Sequence, residues 1–161
     1  MAEIYGANTQ LETARDKVKT YLDALITAMA TGYTPKLNYA HDRHQVAAIK
    51  LNAVTVQAES ATRVQPGGSQ SGGSMVPIYD YMIELSIRVH TAYEGRFNDV
   101  EKNARLLNSI DNYLSARWNM GDDYYLHNVS DIKPNQSFSE SNTLGGSLMI
   151  TVIIQIDHTQ V

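Results

Sequence analysis

The chain holds five histidines and no cysteine, so a thiolate nucleophile is excluded and any metal site must use His, Asp and Glu. His41 and His44 flank Asp42 and Arg43 in HDRH, a spacing compatible in outline with metal ligation, but Arg43 opposes a cation and the segment reads as a solvated loop. His90 falls on the polar side of an alternating segment, His127 follows Asp122 and Asp123, and His158 is nearly terminal, and each reads as a surface or hydrogen-bond-satisfied histidine rather than a ligand. The adjacent carboxylates Asp122 and Asp123 sit in GDDYY, which reads as a turn rather than as an acid/base pair. No G-x-S-x-G elbow is present, and GGSQSGGS lacks the lysine and the immediate helix of a phosphate-binding loop. Neither catalysis nor a bound cofactor is expected.

These residues must be positioned by elements that hydrophobic spacing reveals. Leu11, Ala14, Val18, Tyr21, Leu22, Leu25, Ile26 and Met29 recur at intervals of three and four, which predicts an amphipathic helix over 9–31. Thr9 with Glu12 marks its start, and Gly32 followed by Pro35 its end. After the polar stretch KLNYAHDRH a strand is expected over 46–59, with Ala47, Ile49, Leu51 and Ala53 on one face, Val54, Val56 and Ala58 on the other, and a bulge near Ala53 and Val54. A strand over 78–93 places Tyr79, Tyr81, Ile83, Leu85, Ile87 and Val89 on an apolar face, and Asp80, Glu84, Ser86, Arg88 and His90 on a wet one. Between the two strands, residues 60–77 are rich in Gly and Ser and read as a flexible hairpin tip.

A second helix opens near Asn98 and closes before Gly121, with Val100, Ala104, Leu107, Ile110 and Leu114 as its stripe. Strands over 124–132 and 148–157 follow, joined by the polar loop KPNQSFSESNTLGG. The last strand is apolar on both faces, as a central or covered strand would be. The fold expected is therefore α+β: a single domain over 1–161 in the order helix, strand, strand, helix, strand, strand. An antiparallel four-stranded sheet, or a mixed variant of it, carries two helices on one face.

Composition bounds the function. The 161 residues carry 13 Lys and Arg against 17 Asp and Glu, a net charge of −4 that argues against a nucleic-acid clamp. No apolar run approaches the roughly 18 residues of a membrane helix, and MAEIYGANTQ lacks the basic start of a signal peptide, so a soluble, unprocessed chain with no membrane partner is expected. Ten tyrosines stand against two Phe and one Trp. Tyr79, Tyr81 and Tyr93 read as core residues, while Tyr33, Tyr39, Tyr124 and Tyr125 fall at element ends, where tyrosines also dress subunit interfaces.

The N-terminal helix, the Gly/Ser-tipped hairpin, IELSIRVHTAYEGRFN, NDVEKNARLLNSIDNYL and the closing NTLGGSLMITVIIQID together resemble the tail terminator, or tail-completion, proteins of long-tailed bacteriophages. The resemblance covers nearly the whole chain and rests on element order and size rather than on a diagnostic motif. It implies a non-enzymatic virion protein, made in the host cytoplasm, that forms a ring, commonly a hexamer. The ring caps the tail-tube protein, stops its polymerisation and offers a surface to the head-side connector protein, while DNA passes through the lumen without specific binding. On this reading Gln65, Gly67, Gly68, Gln70, Gly73 and Met75 form a partner-binding loop, and Asp80 and Glu84 supply lumen or surface charge. The competing readings are a head-closure or connector protein of the neck, for which the two long helices are unfavourable, and a small hydrolytic or metal-dependent α+β enzyme, for which no convergent polar constellation is visible.

Overall fold

A computed structural model describes residues 10–29, 37–44, 52–63, 81–91, 98–138 and 143–154. The elements are α1 (Gln10–Ala28), β1 (Tyr39–His41), β2 (Ala53–Arg63), β3 (Tyr81–Thr91), α2 (Asn98–Ser115), β4 (Asn119–Gly121), β5 (Tyr124–Phe138) and β6 (Thr143–Ile154). They form an α+β fold around one six-stranded mixed sheet of order β1-β2-β3-β6-β5-β4. The expected four-stranded antiparallel sheet is thus extended at both edges. β1 joins β2 in parallel, with Tyr39 beside Ala53, and β4 turns back on β5. Strands of three residues are too short to show a period of two, which is why the sequence pattern passes over them.

The register explains the core. Val54 lies opposite Val89, Val56 opposite Ile87, Ile87 opposite Leu148, and Leu85 opposite Ile150. One sheet face is therefore continuously aliphatic, with cross-strand neighbours in contact distance. α1 covers it through Ala14, Val18, Leu22 and Leu25, and α2 through Leu106, Leu107, Ile110 and Leu114, all buried. β6 is central between β3 and β5, as its apolar faces demand.

The stripe of α2 differs in phase from the expected one. Val100 is 37% exposed and Ala104 is exposed, whereas Asn103 and Leu106 are fully buried. A polar residue occupies an inward position because Thr91 Oγ1 donates a hydrogen bond to Asn103 Oδ1 across 3.3 Å, so the buried amide keeps a partner.

β2 is described over Ala53–Arg63, so the first residues of the expected tip, 60–63, belong to the strand, while 46–51 of the expected strand and 64–77 of the expected tip lie outside the described residues. Its irregularity falls between Ala58 and Ser60 rather than near Ala53. The polar stretch after Ile132 is likewise strand up to Phe138, and β5 as a whole pairs with β6 through three register shifts, at Leu126/Asn128, Ser130/Lys133 and Lys133/Gln136. Asp131, at φ 51°, sits in one of them, where a short polar side chain tolerates the left-handed backbone.

One ion pair ties the helix layer to the sheet, and one close approach ties β3 to β6. Asp122 and Asp123, at φ 54° and 64°, form a two-residue turn, as expected, but between β4 and β5 rather than between helix and strand, and Lys17 Nζ of α1 grips Asp122 Oδ2 at 2.8 Å. At Gly145 a Cβ would collide with the carbonyl oxygen of Val89 and reach within 2.9 Å of the Phe138 ring. Close backbone approach there needs glycine.

Candidate functional site: a polar relay beside a cleft

The face of β3 opposite the helices carries Glu84, Ser86, Arg88 and His90. The expected wet face holds only in part. Glu84 is exposed, but Ser86 is 7% exposed and His90 1%. His44, expected in a solvated loop, is 4% exposed. The physical reason is the position of β3. A strand inside a six-stranded sheet has two faces to cover, and the segment after β1 lays His44 over this one while Phe138 at the end of β5 packs its ring 5.1 Å from that of His90.

These groups form one hydrogen-bonded chain. Ser86 Oγ donates to Glu59 Oε1. Ser86 Oγ lies 2.5 Å from His44 Nε2, His44 Nδ1 lies 2.7 Å from Thr55 Oγ1, and Thr55 Oγ1 lies 3.0 Å from His90 Nε2. A hydroxyl has one proton to give, so Ser86, which gives its proton to Glu59, accepts from His44 Nε2–H. A neutral imidazole then has only Nδ1 as acceptor, which takes the Thr55 proton, and the Thr55 oxygen accepts from His90 Nε2–H. Every member is used once and all donors point toward Glu59. The main-chain N–H of His44 also donates to Gln57 Oε1 at 3.3 Å.

The neutral form, though not the choice of tautomer, follows from the electrostatics too. The pKa of His44 is lowered to about 3, first by burial, then by the nearby Arg88 and His90. An imidazole that stays neutral and already donates through Nε2 has no lone pair facing Ser86. The pair is the reverse of an activated serine, in which the histidine nitrogen accepts the hydroxyl proton. The arrangement fixes shape: it fastens residues 42–44 to the sheet and leaves Glu59 at its solvent end, 38% exposed.

A cleft of about 670 Å³ opens beside Glu59 and Ser86, lined further by Arg88, Asp131, Lys133, Gln136, Ser137, Phe138, Ser147 and Met149. The Arg88 guanidinium stands 4.7 Å over the Phe138 ring. A smaller cleft of about 340 Å³ lies by Trp118 and His127, where Trp118, 56% exposed, stacks on Tyr125 at 6.0 Å.

Of the residues singled out from sequence, Glu84 is exposed on the helix-free face, where Ser60 Oγ donates to it over 3.4 Å. Gln65, Gly67, Gly68, Gln70, Gly73, Met75 and Asp80 lie outside the described residues. His41 and His44 are not brought together. His41 Nδ1 stays beside Asp42 at 3.6 Å, at the edge strand, while His44 turns under the sheet. Among the described residues no group of three or more His, Asp or Glu is placed to hold a metal ion, and no helix is long and apolar enough to cross a membrane. The sequence reading missed Glu59, Arg88, Lys133 and Phe138 as neighbours. The only signal was that the polar face of β3 mixes acid, hydroxyl, base and imidazole at every second residue, a pattern that solvated strands share. Compared with known proteins, the chain matches no family model and no curated protein.

Proposed function

We propose that the protein is a ring-forming structural component of a phage tail: a tail terminator that caps the tail tube, halts its growth and presents a docking surface to the head-side connector. The observation that carries this reading is the layout of the sheet. Two helix-plus-hairpin halves, α1 with β2–β3 and α2 with β5–β6, join along β3 and β6. Both helices cover one face.

The opposite face is left with half-buried Met82, Tyr125, Met149 and Ile153, material suited to contact with neighbouring subunits. This layout is the element order that the resemblance implies, with two short edge strands added. A relay whose serine is held as a donor to a carboxylate fits a scaffold rather than a hydrolase. The net charge of −4 suits a lumen that duplex DNA crosses without being held, because like charge gives no counterion-release gain.

Such a protein belongs in the virion, and the ring is expected to be a hexamer. Light scattering coupled to size exclusion, with negative-stain imaging, tests the ring directly. Closed rings support the reading, and a monomer at every concentration overturns it.

A further inference from the structure

We infer that the cleft on the helix-free face docks a polypeptide segment carrying both an acidic and a basic side chain. The cross-strand register sets Arg88 opposite Ser147 and Lys133 opposite Ser147, so two cations bracket one hydroxyl across two strand spacings, roughly 10 Å. Arg88 is half-buried and braced on the Phe138 ring, so a ligand group meeting it immobilises little that is not already fixed.

Glu59 of β2 and Asp131 of β5 line the same cleft, so each cation has a carboxylate on its own or the adjoining strand. The volume, about 670 Å³, accommodates a few side chains of an extended segment rather than a folded domain. Charge complementarity selects the occupant. A polyanion such as nucleic acid gains two cations but meets two carboxylates and a chain of net charge −4. A single carboxylate flanked by a cation offers a partner to both signs. This inference holds whether or not the protein forms rings, since any partner strand of that chemistry fits.

The test is a titration of the isotope-labelled full chain, followed by amide shifts, with the capped peptide Glu-Ala-Lys-Glu-Ala-Lys as probe and with hexaglutamate, hexalysine and inorganic phosphate as comparison arms. The mixed-charge peptide is expected to shift the amides of Ser86, Arg88, Lys133 and Ser147. Lys133→Gln, at an exposed side chain that leaves the core untouched, is expected to weaken that response by about tenfold, and Asp131→Asn by a smaller factor. Arg88→Gln provides a third variant whose own spectrum reports whether it is folded. Absence of shifts at the cleft, an equal response to hexaglutamate or phosphate, or an unchanged response in Lys133→Gln overturns the proposal.

Discussion

Ser86→Ala removes one oxygen from the middle of the buried relay, and the structure fixes what that costs. His44, 4% exposed, loses the acceptor of its Nε2–H, and Glu59 loses the donor that reached it from Ser86. A lost internal hydrogen bond is worth about 1 kcal/mol, and a buried donor left without a partner about 1–3 kcal/mol more. The loss should not reach the top of that range, because Glu59 is 38% exposed and water replaces the serine at its end. The expected destabilisation is therefore about 2–3 kcal/mol, which for a chain of this length corresponds to a fall in melting temperature of roughly 5–10 °C. The assay is urea unfolding followed by fluorescence and circular dichroism, with the slope checked so that the midpoint shift reports stability. Ser60→Ala is the control. Ser60 is an exposed serine whose bond to Glu84 spans 3.4 Å, and it should change stability by no more than about 0.5 kcal/mol. If Ser86→Ala and Ser60→Ala cost the same, the relay is not a stabilising network and the assigned tautomer of His44 loses its support.

The His44 relay also sets a pH dependence. The folded pKa of about 3 lies below the 6.5 of a free histidine side chain, so the unfolded chain binds a proton that the folded chain refuses. Stability from this group is complete above about pH 6.5 and is lost as pH falls toward 3, with a slope of at most about 1.4 kcal/mol per pH unit. His44→Gln should flatten denaturation midpoints measured between pH 6 and 4, and an unchanged slope would count against a neutral buried imidazole. On α2, Leu107→Asp should prevent folding by burying an unpaired charge, whereas Val100→Asp should leave the melting temperature within about 2 °C, since Val100 is 37% exposed. Equal damage from both substitutions would restore the helix phase read from sequence, in which Val100 and Leu107 share one stripe. Gly145→Ala should destabilise by more than the roughly 1 kcal/mol typical of a substitution, because its methyl group meets a main-chain carbonyl and not a movable side chain. Calorimetry that finds it neutral would mean that β3 and β6 separate more readily than their register indicates.

The parts legible in the sequence are those with long, one-sided patterns. The stripe of α1 at Ala14, Val18, Leu22 and Leu25, the aliphatic face of β3 and the centrality of β6 all follow from spacing, because each repeats over several turns or pleats. What stayed hidden depended on pairing at a distance. β1 is too short to show a period, and nothing in KLNYAHDRH tells that its histidine four residues before Ala48 turns inward. The polar face of β3 reads as wet because Ser86, Arg88 and His90 are polar, and only the lid made by residues 42–44 and Phe138 reverses that. The extension of β5 through Lys133 and Asn135 is held by β6, not by its own propensity, so a segment of loop-like composition becomes strand. On α2 the apolar pattern gave Val100 and Ala104, while the inward Asn103 is visible only once Thr91 is seen opposite it. The relay was illegible for the same reason: its members span residues 44 to 90 and meet only through the register of β2 with β3 and the segment after β1 that brings His44 onto them.

The central claim is that this chain ends the growth of a tail tube. The most direct measurement is the length distribution of tubes assembled from tail-tube protein in the presence of increasing amounts of this protein, read by electron microscopy. The account predicts that tubes shorten and stop growing as the protein is added, with a ring of it at one end of each. Tubes that elongate at the same rate and to the same lengths, with the protein absent from their ends, contradict it.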